Sequence, residues 1–112
     1  MTDAHAAWGG PQEYTEAFLR SARRAVQDLC ERRGAEFASL SHDVVPATGG
    51  NVVVAATAVV VFRGRRCAFR RGIWPPSHPA TTSAALYATV LEEQLLTRVH
   101  PRPDDDASPL DL

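Results

Sequence analysis

Residues 51–63, NVVVAATAVVVFR, constrain this chain more than any other segment. Their density of β-branched valine predicts a strand. With a two-residue period, one face carries Val52, Val54, Ala56, Ala58, Val60 and Phe62, and the other Val53, Ala55, Thr57, Val59 and Val61. An antiparallel strand with one wet face alternates apolar and polar residues. Here both faces are apolar, so both should be covered. The apolar stretch 52–62 is too short to cross a bilayer as a helix.

The flanking segments supply the other elements. Gly10 can cap a helix that Pro11 opens, and Glu13 and Glu16 suit its positive end. Tyr14, Phe18, Ala22, Ala25 and Leu29 then recur at helical spacing, with Leu19, Val26 and Cys30 beside them. Arg32 and Arg33 suit the negative end, and Gly34 the stop, so residues 11–33 are expected to be helix. Residues 35–45 lean towards strand, PATGG at 46–50 reads as a turn, and Gly64 as a tight turn before a third strand at 66–74. PPSHP at 75–79 excludes helix and should be a rigid loop. Thr81 or Thr82 can cap a second helix running to about Val99, with Ala84, Tyr87, Leu91 and Leu95 facing inward and Leu86 and Val90 widening that face.

The expected fold is α+β in the order α-β-β-β-α, an antiparallel three-stranded sheet with two helices on one face. Residues 10–99 form a single domain, between a flexible N-terminus at 1–9, where Trp8 can tuck back, and a disordered acidic tail at 100–112. Two helices cover only one face of such a sheet. The other would be a sizeable apolar patch, and pairing with a second copy covers it most simply. A homodimer is therefore expected, with cover from the N-terminal segment or the tail as the alternative.

Composition excludes several functions. All twelve basic residues are arginine, which removes Schiff-base chemistry and the lysine of a phosphate-binding loop. The net charge of −1 gives no general pull towards nucleic acid or an anionic membrane. Cys30 and Cys67 make neither a disulfide framework nor a zinc site, and suit a reducing cytoplasm as small buried hydrophobes. No secretory signal opens the sequence. No cofactor motif, metal spacing or nucleophile–base–orienter set is present, so no enzyme is expected.

Two short motifs carry a resemblance. Ala47, Thr48, Gly49 and Gly50 form the first, and TSAALYATVL, with Ser83, Ala84, Tyr87 and Leu91, the second. In these, and in the helix EYTEAFLRSARRAV, residues 10–96 resemble the C-terminal regulatory domain of 2-isopropylmalate synthase, the LeuA allosteric dimerisation domain. The resemblance implies a non-catalytic α+β module that dimerises, binds an end-product amino acid such as leucine, and acts on a partner enzyme. The family's glycine-rich segment before the last helix is replaced here by Arg70, Arg71, Gly72, Ile73, Trp74, Pro75 and Pro76. That replacement alters the segment which shapes the family's effector pocket.

Candidate ligand-binding residues cluster before the second helix. Strict alternation would put Arg71 on the apolar face with Cys67, Phe69 and Ile73, where a ligand carboxylate could pair with it. Trp74 and His78 flank the proline loop, and Thr81 and Thr82 stand at a helix N-terminus suited to an anion; a Trp–Pro packing cluster that closes the core is the plainer reading. With Tyr87 these make the expected site for a small carboxylate or amino-acid ligand. No acidic residue occurs between Val44 and Leu91, so Arg63, Arg65, Arg66 and Arg70 form a second, anion-binding candidate; a solvated hairpin tip is the plainer reading. The element order also matches double-stranded RNA-binding domains, but those need a basic N-terminus on the second helix, and PATTSAALY carries no charge. A module that docks another protein on its sheet face is the remaining alternative.

Overall fold

A computed structural model describes residues 10–97. The expectations for the N-terminus at 1–9 and its Trp8, for the last helical residues to Val99, and for the tail at 100–112 lie outside the described residues. The element order is α-β-β-β-α: α1 (Pro11–Arg33), β1 (Glu36–Pro46), β2 (Val52–Phe62), β3 (Arg65–Trp74) and α2 (Ala80–Thr97). The sheet is antiparallel in the order β1-β2-β3.

Local chemistry sets the boundaries. The Gly10 N–H donates to the Glu13 carboxylate at 3.1 Å, satisfying a donor at the start of α1. Gly34 ends α1 in the left-handed region at φ 68°, where a Cβ would be strained. β2 and β3 are joined by Arg63 and Gly64, both with positive φ (54° and 76°), as a two-residue hairpin matching the strand twist requires. A single 3-10 turn, Thr48–Gly50, links β1 to β2.

The two helices run parallel. Their N-terminal turns are joined by a 2.7 Å hydroxyl bond between Tyr14 and Ser83, and the C-terminal end of α1 meets α2 further along, where Arg33 donates to Glu92 at 2.7 Å. The Arg33 bond, helped by Arg32, holds the Glu92 carboxyl below its ordinary range. Both helices bury their apolar stripes against one sheet face, packing Tyr14, Phe18, Ala22, Val26 and Leu29 with Ala84, Tyr87, Leu91 and Leu95 over Val54, Ala56, Ala58 and Val60. Val26 takes the buried place on α1, while Ala25 is only half-buried. Leu86, expected to widen the inner face of α2, is 44% exposed.

Tyr87 links the two layers. Its ring meets Phe18 and Phe69 edge-on at 5.3 and 4.8 Å. Its hydroxyl lies 3.0 Å from the Ala56 carbonyl on β2 and 2.9 Å from the Phe69 carbonyl on β3. Burial pushes this phenol well above its ordinary pKa, so it remains a donor.

A bulge ends the sheet on the helix side. Gly72 pairs with Ala55 and Trp74 with Val54, leaving Ile73 extra. Strict alternation would send Trp74 to the opposite face from Ile73. The bulge brings both into the core, at 8% and 6% exposure.

The outer sheet face is narrower than the faces of β2 alone suggest. Beside its column Val53, Ala55, Thr57, Val59 and Val61, β1 places Glu36, Ser39, Ser41, Asp43 and the exposed Val45, and β3 places Arg66, Ala68, Arg70 and Gly72. Arg70 reaches across to Asp43 at 3.0 Å. These neighbours leave most of the column half-buried and Ala55 at 4% exposure. Among the described residues no other element lies over it.

Tyr87→Phe should keep the ring packing and remove the donor from two buried carbonyls. We expect a loss of about 1–3 kcal/mol in guanidinium unfolding with an unchanged slope. A loss within error would mean that the hydroxyl does not hold the layers together.

Candidate functional site

At the end where both helices begin, β3, the loop 75–79 and the first turns of α2 enclose a pocket of about 170 Å³. The sequence shapes it in three ways. Alternation past Arg71 makes Ile73 one wall, prolines 75 and 76 hold the chain out of helix, and α2 enters above with Ser83, Leu86 and Tyr87 facing the space. The Trp74–Pro75 peptide is cis. The loop is pinned from α1, because Tyr14 donates its hydroxyl to the His78 carbonyl at 2.7 Å and bonds Ser83, whose own hydroxyl lies 3.3 Å from that carbonyl.

The electrostatics favour an anion. Helix N-termini carry about half a positive charge from their aligned dipoles, and here two parallel N-termini lie side by side. α1 has Glu13 in its first turn, whereas α2 has no acidic residue there. Arg71 adds a full charge at the pocket edge. Register explains why that charge stands alone. Arg70 and Arg71 are adjacent, so they point to opposite sheet faces. Arg70 falls on the outer face and takes Asp43, whereas Arg71 pairs with Ala56 on the helix-facing side. Among the described residues Arg71 makes no ion pair.

Of the residues singled out from the sequence, Arg71, His78 and Tyr87 line the pocket together. Trp74 does not; it is buried, with its ring meeting Tyr14 edge-on at 5.5 Å. Thr81 and Thr82 are exposed on the first turn of α2 and are not part of the lining. Sequence reasoning missed the apolar wall of Phe18, Ile73, Pro76 and Leu86. The double proline and an exposed leucine one turn into the helix were the available signals.

The other arginines do not form one patch. Arg63 sits over the Phe62 ring at 4.7 Å in the β2–β3 turn. Register places Arg65 on the helix side, and Arg66 and Arg70 on the outer side. Arg65 is six residues from Arg71 along β3, about 20 Å away at strand rise. A second concavity of about 410 Å³ lies across α1, between its first turns and Val44, Val52 and Val54, and has none of the candidate residues in its lining. There the Thr15 hydroxyl is buried without a partner among the described residues.

Ser83 bonds Tyr14 and a main-chain carbonyl and no base. Among the described residues no cluster of His, Cys, Asp and Glu could hold a metal, and no helix is long and apolar enough to cross a membrane. Cys30 is buried, which pushes its thiol pKa up and makes it a poor nucleophile. Comparison with known proteins yields no match to a family model, a curated protein or a solved structure.

Tyr14→Phe should free the His78 carbonyl and loosen the loop 75–79. The expected cost is about 1–2 kcal/mol of stability, with faster amide exchange centred on residues 77–83. Unchanged exchange there would remove Tyr14 from the description of the pocket.

Proposed function

We propose that this chain is a non-catalytic binding and regulatory domain that pairs with a second copy of itself and takes a small carboxylate-bearing ligand at the helix N-termini. The observation that carries this reading is Arg71, a guanidinium without an ionic partner among the described residues, at the edge of a pocket beside the uncompensated N-terminus of α2. A carboxylate there gains charge-assisted bonds from Arg71 and the favourable end of the helix dipole. The resemblance to the leucine-sensing domain of 2-isopropylmalate synthase rests on the motif at residues 47–50 and on Ser83, Ala84, Tyr87 and Leu91 in α2. It suggests that the bound domain acts on a partner enzyme.

Pairing follows from the outer sheet face. With a twofold axis along β2, β1 of one copy faces β3 of the other. The row Glu36, Val61, Arg66 then meets its own reverse, carboxylate to guanidinium, while Val59 and Val61 pack on their counterparts. The same arrangement leaves the pocket, on the opposite face, open.

A thermal-melt series against organic and amino acids at millimolar concentration tests the site. A ligand at 100 times its dissociation constant stabilises by about 2.7 kcal/mol, a rise of several degrees. Arg71→Gln should abolish the rise. If no acid shifts the melt, the carboxylate reading fails, and a protein partner becomes the leading explanation of the fold.

Light scattering tests the pairing separately. We expect twice the chain mass at micromolar concentration, and a single mass for Val59→Glu. A monomeric parent would exclude the paired sheet.

A further inference from the structure

The charge inventory of the pocket narrows its ligand. An amino acid brings an ammonium group along with its carboxylate, and a desolvated ammonium needs a carboxylate or several free carbonyls. The pocket lining contains no acidic residue, and none occurs between Val44 and Leu91. Among the described residues, the acids that flank this span or stand at the start of α1 are engaged or face elsewhere. Asp43 is on the other sheet face with Arg70, and Glu92 is held by Arg32 and Arg33. Glu13 accepts from the Gly10 N–H, and Glu16 lines the concavity across α1.

Three main-chain carbonyls at this end of the core are also engaged. The His78 carbonyl accepts from Tyr14, and those of Ala56 and Phe69 face the Tyr87 hydroxyl. An ammonium in this pocket would meet no carboxylate in the lining and would sit in the same positive potential that attracts the carboxylate.

The remaining features describe what the pocket does accept. Ile73, Pro76 and Leu86 offer an apolar wall, and Leu86 is 44% exposed, so contact with a ligand tail removes apolar surface from water. The volume of about 170 Å³ lies below the about 300–1,000 Å³ typical of drug-sized ligands.

Building on the carboxylate site proposed above, we infer that the pocket selects short aliphatic monocarboxylic acids without an amino group, and discriminates against the amino acid of the same skeleton. Arg71 and the α2 N-terminus hold the carboxylate, and the branched or linear tail lies on Ile73 and Leu86. His78 at the lining offers a ring nitrogen to an oxygen at C2, so 2-oxo and 2-hydroxy acids belong to the accepted class.

Three probes with one carbon skeleton test this: leucine, 4-methyl-2-oxopentanoate and 4-methylpentanoate, titrated calorimetrically into the full chain at constant ionic strength. We expect the two acids without an amino group to bind at least about tenfold more tightly than leucine, and Arg71→Gln to abolish their binding. Leucine binding as tightly as either acid, with loss in Arg71→Gln, would overturn the selectivity and leave the carboxylate site standing. Binding of none of the three would overturn both. Binding that survives Arg71→Gln would place the ligand elsewhere and overturn both as well.

Discussion

The architecture depends on one hydroxyl. Tyr87 reaches from α2 through the core to carbonyls on two different strands, so a single side chain fixes the height, rotation and axial position of the helix over the sheet. Small residues make this reach available. Ala56 and Ala58 beneath it and Ala84 and Ala88 beside it let helix and sheet approach. Apolar packing alone is non-directional and would allow α2 to slide. With Tyr87 anchored, Ser83 comes to Tyr14 and the N-terminus of α2 comes to the end of β3. The pocket is a consequence of that placement.

Parallel side-by-side helices carry an electrostatic cost, because their like poles are neighbours. The chain offsets it differently at each end. At the C-terminal end of α1, Arg32 and Arg33 lie on the negative pole and bridge to Glu92. At the other end Glu13 serves α1, while α2 has no such residue. Selection for stability alone would favour an acid near Thr81 or Thr82. That first turn instead carries the uncharged Thr81 and Thr82, and its positive pole adds to the charge of Arg71.

How much of this was legible follows from which signals are local. The element order, both turns, the ends of α1 and the inward face of α2 are written in spacing and in glycine or proline positions within a few residues, and the fold was readable from them. Arg71 on the helix-facing side followed from strand alternation. Trp74 did not, because the bulge at Ile73 interrupts the alternation and is visible only against the partner strand. The width of the outer face was hidden for the same reason. β2 alone looks apolar on both sides, but Asp43 and Arg70 lie 27 positions apart and shield it only once the strands pair. The parallel course of the helices was implicit in three intervening strands, and its electrostatic meaning appeared only with Tyr14 and Ser83 in contact.

The bulge bears on how this chain tolerates change. Between Gly72 and Trp74 the extra residue adds a side chain to the core instead of displacing one. Exchange of Ile73 for another aliphatic residue keeps that side chain in place. Loss of Ile73 would restore alternation with Trp74 still opposite Val54 on the helix side, so the indole would stay inside and the gap would open in the pocket wall that Ile73 supplies. Descendants of this sequence should therefore hold an aliphatic residue at position 73 more strictly than the burial of Trp74 alone requires.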